Sequence, residues 1–208
     1  MKMEILDLNN DEDTKTTDEM EPKKPEEKTS PVKEILSWVL TIAFAIVAAI
    51  LIKNYVIINA NIPSGSMENT IQIGDDIFGL RLAYTFSDPK RGDIVIFNAP
   101  DSPSEKYIKR VIGLPGETVT IEDGQVYIDG EALEEDYLKS NQSGEDPWNI
   151  NAGPYEFKVP QDSYLLLGDN RNGSSDARVW EHTYVSKDDI LAKAIFRYYP
   201  FNRFGAVK

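Results

Sequence analysis

The pattern of hydrophobic and polar positions divides the chain into three regions. Residues 1–34 mix acidic, basic, Pro and Thr residues without any aromatic side chain, which is typical of a disordered tail. Residues 35–52 form an uninterrupted apolar run, ILSWVLTIAFAIVAAILI, that contains no charge, no Pro and no Gly. After this run, short apolar stretches alternate with turn residues to the end of the chain, which predicts a β-rich region.

The apolar run predicts a single transmembrane helix, and we assign residues 35–58 to the helix and its junction with the β-rich region. As an α-helix, its 18 residues span about 27 Å, close to the roughly 30 Å of a bilayer core. A buried core helix is the alternative, but such a helix carries a polar face and this run is apolar all round. Pro31 suits the start of a helix, and the long acidic tail argues against a cleaved signal peptide.

The distribution of lysines predicts the orientation of this helix. Lys23, Lys24, Lys28 and Lys33 lie shortly before the apolar run, whereas Lys53 alone follows it directly. Because cytoplasmic flanks are enriched in Lys and Arg, we expect the tail in the cytoplasm and the β-rich region outside the cell membrane.

The β-rich region predicts an antiparallel β-sheet domain with a smaller β insertion. Six apolar stretches indicate strands: DIVIF, YIKRVIGL, TVTI, QVYI, SYLLLG and AKAIFRYY. Asp123-Gly124, between the third and fourth stretches, indicates a two-residue hairpin. The main β domain is assigned to residues 59–114 and 159–208, and the inserted β subdomain or loop to residues 115–158. Its polar stretch 131–153 is irregular, so we expect the insertion to lie far from the motifs below and to tolerate shortening.

Composition narrows the chemistry that this chain can perform. Cysteine is absent, which excludes thiol catalysis and cysteine-based metal sites. The single histidine, His182, excludes a site with several histidine ligands. A net charge of −13 argues against nucleic acid as a partner. We expect neither a metal ion nor an organic cofactor.

A serine in the segment IPSGSMENTIQIGD is a candidate nucleophile. Pro63 and Gly65 fix a tight, exposed turn, and Ser66 follows it at once. A serine nucleophile needs a presented hydroxyl with hydrogen-bond donors nearby for the oxyanion. The backbone N–H of Ser66 and the hydroxyl of Ser64 are candidate donors, although such a segment is also compatible with an ordinary turn.

A lysine in the segment KYIKRVIGLPGE is a candidate general base. In a strand, Tyr107, Lys109 and Val111 share one face while Arg110 is turned outward. Apolar surroundings lower the pKa of a lysine, and a fall of about 2 units gives a usable base near neutral pH. A solvent-facing lysine is the alternative.

The segment GDNRNGSSDARVW, after the strand SYLLL, carries more polar side chains than a turn needs. Ser174, Asp176 and Arg178 could form a hydrogen-bonded support for a buried lysine amine. A solvated loop is the alternative.

Together and in this order, the segments resemble the conserved boxes of type I signal peptidases, the leader peptidase family with a Ser-Lys dyad. PSGSMENT resembles the nucleophile box, RGDIVIF the structural box, YIKRVIGLPGE the lysine box and GDNRNGSSDAR the final box. The resemblance extends from the apolar run to about residue 198. It implies a membrane-bound serine endopeptidase that removes N-terminal signal peptides from exported preproteins through an acyl-enzyme, without a cofactor.

The resemblance also implies a role for individual residues. Ser66 matches the nucleophile, Lys109 the general base, and Ser64 the hydroxyl that completes the oxyanion hole with the Ser66 N–H. Ser174 matches the residue that orients the lysine amine, and Asp176 and Arg178 match a supporting ion pair. The family has pockets that accept small side chains, such as Ala, at the first and third positions before the cut. The residues that match the lining of these pockets are Ile62, Met67, Ile71, Tyr107 and Ile108.

The implied partners are preprotein signal peptides and the lipid bilayer, near the protein-export machinery. Ser66 follows Ile52 by 14 residues, which is at most about 50 Å of extended chain. The nucleophile is therefore expected near the outer boundary of the membrane, where cleavage sites emerge.

Two positions depart from the family pattern, and three alternatives remain. Ala177 stands where the family usually has Ser, and Glu181 where it usually has Gly. A Ser66–His182 pair, as in the microsomal relatives, is one alternative, although the lysine box here keeps Lys109. A self-cleaving Ser-Lys peptidase like the SOS-type repressors is the second, but those carry a DNA-binding segment. An inactive membrane-anchored binding module is the third, and the intact Ser66 and Lys109 argue against it.

Overall fold

A computed structural model describes residues 31–138 and 154–208. Helix α1 spans Pro31–Leu51 and continues into a π-helical turn, Ile52–Val56. Its most apolar window has a mean hydropathy of 2.8 and no buried residue, so its length and composition suit a membrane span. The predicted helix is thus present, and it includes residues 31–34, which the sequence pattern had placed in the tail. The rest of the predicted tail lies outside the described residues.

Strands make up the regular structure after the helix, apart from short 3₁₀ turns. Those described are β1 (Ile57–Asn61), β2 (Asp76–Leu80), β3 (Ile94–Ala99), β4 (Ser102–Gly113), β5 (Thr118–Glu122), β6 (Gln125–Ile128), β7 (Glu131–Ala132), β8 (Tyr155–Lys158), β9 (Ser163–Leu167), β10 (Val185–Ser186), β11 (Ile190–Tyr199) and β12 (Gly205–Ala206). Their pairings are antiparallel throughout. The predicted mostly β, antiparallel fold is confirmed.

Two sheets are formed by these strands. The larger sheet has the order β1-β2-β11-β3-β4-β9-β10, with β12 paired to β11, and the smaller sheet has the order β7-β6-β5-β8. The smaller sheet lies within the segment that the sequence assigned to an insertion. Its β5–β6 hairpin turns at Asp123-Gly124, where φ is 49° and 79°. This backbone matches the right-handed twist of the flanking strands, as the Asp-Gly pair predicts.

The smaller sheet shares a hydrophobic core with the larger one. Val119 and Ile121 of β5 belong to the same buried cluster as Val95 and Phe97 of β3. At the junction of the two sheets, a Cβ on Gly113 would lie 2.7 Å from Val119, so only glycine allows this close approach. The described part of the insertion is therefore packed onto the main domain instead of forming a core of its own, and residues 139–153 of the predicted irregular stretch lie outside the described residues.

Strand β2 has no counterpart among the six stretches read from the sequence, because a glycine interrupts its apolar pattern. A Cβ on Gly79 would lie 2.7 Å from both Ile58 and Ile96. The glycine thus leaves room over β2 for side chains from β1 and β3, although glycine weakens a strand when considered locally.

Strand β4 occupies a central position in the larger sheet, with β3 on one side and β9 on the other. Arg110 of β4 pairs with Ile94 of β3 and with Leu167 of β9. Lys109, one residue earlier, is therefore held in the interior of the sheet. The loop that follows β9 begins directly beside it.

Candidate active site

The centre of the site is a contact between two side chains that the sequence singled out. Lys109 Nζ lies 2.6 Å from Ser66 Oγ, within hydrogen-bond distance. Ser66 is 6% exposed and Lys109 is 4% exposed. Ser66 comes from the turn between β1 and β2, and Lys109 from the middle of β4. The two residues are brought together by the fold across 43 residues of sequence.

Burial sets the protonation of the lysine. It lowers the pKa of Lys109 from 10.5 to about 8, against the opposing charges of Asp176 and Asp169, and the Arg178 charge lowers the pKa further. Because desolvation penalises the ammonium form, a substantial fraction of the amine is neutral just above neutral pH. A neutral amine can accept the proton of a serine hydroxyl.

Arg110, expected to turn outward, is buried on the opposite face of β4. Its guanidinium makes two hydrogen bonds to the Asp169 carboxylate, at 2.8 and 2.6 Å. Asp169 also accepts a hydrogen bond of 2.5 Å from the Thr70 hydroxyl. The expectation was wrong because the loop after β9 supplies a carboxylate that compensates the arginine charge. Asp169 thereby links the base strand to the nucleophile segment.

The loop after β9 also holds the nucleophile turn through its backbone. The N–H of Asn170 donates to the carbonyl of Ser66 at 3.0 Å, and its side-chain amide donates to the carbonyl of Gly65 at 2.9 Å. A Cβ on Gly168 would lie 2.5 Å from the Ser66 carbonyl oxygen, so glycine is required at this contact. Loop and turn are therefore fixed against each other.

Asp176 and Arg178 form the buried ion pair that the resemblance implies. Arg178 Nε and Nη2 each donate to the Asp176 carboxylate at 2.8 Å. Burial opposes ionisation of Asp176, but the hydrogen bonds and charge of Arg178 outweigh it, and the pKa of Asp176 is lowered. The neighbouring Ala177 is fully buried in the core, where a serine hydroxyl would need a partner.

Ser174 lies beside the dyad without contacting the lysine amine. A Cβ on Gly168 would come within 2.2 Å of its Oγ, which places the hydroxyl against the loop backbone. This Oγ is buried, and its interaction with the Asp176 carboxylate helps to lower the pKa of that group. The hydrogen bond to Lys109 implied by the resemblance is not formed in this conformation.

A cavity of about 700 Å³ opens beside the dyad and is lined mainly by apolar atoms. Ser66 and Lys109 lie in its wall, together with three predicted pocket residues, Ile62, Tyr107 and Ile108. Met67 and Ile71 do not line it; both are fully buried in the adjacent core. Their place in that core follows from the helical turn after Ser66, which directs them away from the cavity.

The cavity also reveals the curvature of the larger sheet. Its wall includes residues from β1, such as Ile58, and from β4, such as Ile108. Three strands separate β1 from β4 in the sheet order. The sheet must therefore curl, so that an edge strand and a central strand face the same space.

Two hydrogen-bond donors remain available beside the Ser66 hydroxyl. The Ser66 N–H makes no backbone hydrogen bond in the described structure, and the Ser64 hydroxyl is exposed in the cavity wall. Both belong to the turn that presents the hydroxyl.

His182 takes no part in this arrangement. Its side chain is 68% exposed, and its Nδ1 lies 3.0 Å from Asp101 Oδ1. The backbone N–H groups of Glu181 and His182 donate to the same carboxylate. The pair with Ser66 is formed by Lys109 instead. Glu181 thus occupies a loop position at the surface, where a residue other than glycine is accommodated.

Sequence reasoning missed Asp169, Asn170 and Thr70 as individual contributors. Asp169 and Asn170 belong to the segment GDNRNGSSDARVW, and the high density of polar residues in that segment was the feature that pointed to them. No local feature pointed to Thr70, because its hydrogen-bond partner, Asp169, lies 99 residues away in the sequence.

These groups have the composition of a serine hydrolase site with a lysine base. They are a presented hydroxyl, a buried amine within hydrogen-bond distance, free donors for an oxyanion and an apolar cleft. No group of three metal-ligating side chains is found in the described parts of the chain.

Comparisons with known proteins identify the family. The chain matches the family described as "Signal peptidase, peptidase S26" over residues 35–199. It is 40% identical to signal peptidase I of Leptolyngbya laminosa over 178 residues, which covers 82% of this chain and 83% of the relative. It is 36% identical to signal peptidase I of Bacillus amyloliquefaciens over 188 residues, covering 89% and 100%. A crystal structure of signal peptidase I from Enterococcus faecalis matches at 32% identity, covering 51% of this chain and 97% of that one, with a TM-score of 0.44.

The chain belongs to the signal peptidase, peptidase S26, family. Its activity is that of a membrane-anchored serine endopeptidase that removes N-terminal signal peptides from preproteins. The resemblance read from the four sequence motifs is confirmed. The alternatives of a self-cleaving repressor and of an inactive binding module are set aside.

Proposed function

We propose that Ser66 is the nucleophile and Lys109 the general base of this signal peptidase. The observation that carries the assignment is the buried 2.6 Å contact between Lys109 Nζ and Ser66 Oγ at the wall of the cavity. The lowered pKa of Lys109 supports the role of the amine as proton acceptor.

The proposed reaction has two stages. The neutral amine of Lys109 takes the proton of the Ser66 hydroxyl as Oγ attacks the scissile carbonyl carbon. The Ser66 N–H and the Ser64 hydroxyl stabilise the resulting oxyanion. The lysine ammonium then protonates the leaving amine, and an acyl-enzyme remains. Lys109 finally activates a water molecule, which hydrolyses the ester and restores the Ser66 hydroxyl.

The cleft is proposed to bind the end of the signal peptide in an extended conformation. Strand β1 is at the edge of the described sheet, and one side of the cavity is lined by residues 58–62. An extended peptide can add to such an edge through backbone hydrogen bonds. Ile62 and Ile108 then give shallow apolar contacts that accept a methyl group and exclude larger side chains, in agreement with cleavage after small residues.

The support of the dyad is assigned to residues that do not contact the peptide. The Asp169 and Asp176 carboxylates, each bound to a buried arginine, hold the base strand and the loop after β9. We assign Ser174 to this support as well, as a buried hydroxyl that lies against Gly168 and interacts with the Asp176 carboxylate.

The pH dependence of kcat/KM tests the role of the lysine. With the pKa of Lys109 near 8, we expect kcat/KM to rise with pH and to level off above pH 9. At pH 6 it should be roughly 1% of the plateau, because about that fraction of the amine is neutral. The measurement uses the full chain in detergent micelles with a purified preprotein between pH 5.5 and 10.

The His182→Ala variant is the control for this profile. Because His182 is exposed and bound to Asp101, the variant should keep both the plateau and the position of the acidic limb. A profile that is flat from pH 6 to 9, or that loses its limb in His182→Ala, contradicts the assignment of the base.

We propose that the N-terminal tail is cytoplasmic and that the β domain acts on preproteins at the outer side of the cell membrane, near the export machinery. The lysines before the helix support this orientation. Protease added to cells stripped of their wall should digest the β domain, and after detergent permeabilisation the tail as well. Digestion of the tail alone in intact cells means that the orientation is inverted.

A further inference from the structure

The segment after β7, residues 133–138, crosses from the smaller sheet to the active site, and we refer to it as the latch. Its start is fixed to the smaller sheet, because the N–H of Leu133 donates to the carbonyl of Val126 at 2.8 Å and Gln125 Nε2 donates to the carbonyl of Leu133 at 2.8 Å. From there it reaches three residues of the larger domain, each next to a different part of the catalytic site. The expectation that the whole insertion lies far from the motifs is therefore wrong for this part.

The first contact of the latch is a buried ion pair with the loop after β9. The Glu135 carboxylate accepts two hydrogen bonds from the Arg171 guanidinium, and the two side chains are 4% and 1% exposed. Arg171 Nε in turn donates to the carbonyl of Gly168 at 3.0 Å. Gly168 is the residue that packs against the Ser66 carbonyl oxygen. Glu135 is therefore connected to the nucleophile turn through three successive contacts, by way of Arg171 and Gly168.

The second contact reaches the base strand. The Tyr137 ring lies over the Arg110 guanidinium, 3.9 Å from ring centroid to Cζ. Arg110 follows Lys109 directly and binds Asp169 on the other side. The Tyr137 hydroxyl donates to Glu135 at 2.5 Å, and burial raises the pKa of Tyr137, so the hydroxyl stays protonated throughout the assay range. The ion pair and the ring contact are thus parts of one network.

The third contact reaches the nucleophile segment. Asn69 Nδ2 donates to the carbonyl of Tyr137 at 2.6 Å. Asn69, three residues after Ser66, has a φ of 97°, a conformation that a residue other than glycine seldom adopts. The hydrogen bond to the latch helps to maintain this strained turn.

We infer that Glu135 and Tyr137 are positioning residues for the Ser66–Lys109 pair. The latch is the element that contacts the nucleophile segment, the base strand and the loop after β9 together. If the latch contacts are lost, the buried Arg171 no longer has the Glu135 carboxylate beside it. The Arg110 guanidinium likewise loses its contact with the Tyr137 ring. Since an error of about 1 Å in such geometry can cost up to about 10²-fold in rate, the latch acts on the chemical step. This inference rests on the dyad assignment of the proposed function.

The test is the steady-state kinetics of Glu135→Gln and Tyr137→Leu, measured well below the temperature at which either variant unfolds. We expect kcat to fall at least about 10-fold in each, with KM within about 2-fold, because neither residue lines the cavity. Tyr137→Phe keeps the ring over Arg110 and should recover most of the lost kcat. This rescue distinguishes positioning from a general loss of packing.

Two matched variants control for stability. Glu117→Gln removes one partner of the Arg91–Glu117 ion pair, and Tyr84→Leu removes a half-buried tyrosine bound to Asp93. Both should lower the unfolding temperature while kcat stays within about 2-fold of wild type.

Two outcomes overturn the inference or its basis, and they can be told apart. If the latch variants lose stability like the controls but keep kcat, the latch is only structural. If Ser66→Ala also keeps its activity, the dyad assignment has failed and the inference fails with it. Should Glu135→Gln not fold, Tyr137→Leu and Tyr137→Phe decide the question.

Discussion

Replacement of Ser66 by alanine is expected to reduce preprotein cleavage by at least about 10⁵-fold, because the proposed nucleophile, on which the acyl-enzyme would form, is gone. The fold should persist, since the substitution removes one oxygen from a turn that Asn170 holds through backbone carbonyls. The loss of the hydroxyl leaves the buried Lys109 amine without its hydrogen bond, which costs about 1–3 kcal/mol. Cleavage is followed by gel with the full chain in micelles, over hours for the variant.

Variants at Ser64 provide a comparison for Ser66→Ala in the same cleavage assay. Ser64→Ala removes one of the two proposed oxyanion donors and should lower kcat by about 10²–10³-fold, as for other single donors of this kind. Ser64→Thr keeps a hydroxyl at the same position and should retain more activity than Ser64→Ala. A Ser66→Ala variant that cleaves at more than a few per cent of the wild-type rate places the nucleophile elsewhere.

Replacement of Lys109 by methionine should abolish activity and yet stabilise the protein at neutral pH. Without the base, we expect kcat/KM to fall by about 10⁴-fold or more. The pKa of Lys109 falls from 10.5 to about 8 on folding, so below pH 8 the folded state contains a desolvated ammonium group at a cost of about 3 kcal/mol. Methionine of similar length removes this cost but also loses the hydrogen bond to Ser66, worth about 1 kcal/mol. The net gain of about 2 kcal/mol should raise Tm by roughly 4–8 °C at pH 7.

The stabilisation by Lys109→Met depends on pH in a defined way. Between pH 8 and 10.5 the unfolded chain binds a proton at Lys109 that the folded protein does not, so wild-type stability rises with pH. The advantage of Lys109→Met is therefore complete below pH 8 and disappears as pH approaches 10.5. Lys109→Arg should be both inactive and destabilised, since a guanidinium does not lose its proton. A Lys109→Met variant less stable than wild type at pH 7 would mean that the amine is charged and well paired.

The sequence pointed to Ser66 and Lys109, which the structure brings into contact, because the signals at both residues are local. Ser66 lies in a Pro-Ser-Gly-Ser turn, and the alternation of β4 places Lys109 on a buried face. The apolar helix and the Asp-Gly hairpin were predictable for the same reason, since each is determined by neighbouring residues. Assignment of roles still required the order of the four motifs.

The parts of the site that were missed depend on long-range contacts. Arg110 was expected in solvent because alternation turns it away from Lys109, but Asp169 binds it from 59 residues away. Glu135 and Arg171 are 36 residues apart and Asn69 and Tyr137 are 68 apart. No pattern within one segment indicates such pairs. Strand β2 was missed for a related reason, because Gly79 is explained by side chains of other strands.

The place of β11 in the sheet has a consequence for the biogenesis of the enzyme. This strand, near the C-terminal end, lies between β2 and β3 and joins them. The turn with Ser66 is attached to β2, and Lys109 lies on β4, the partner of β3. A nascent chain that ends before residue 190 therefore carries both reactive groups on two hairpins that are joined by the loop after β9 and the latch, without the strand between β2 and β3. We therefore expect full proteolytic competence only after this last long strand has been inserted, so that a partly synthesised protease has an incomplete site with which to cut its neighbours.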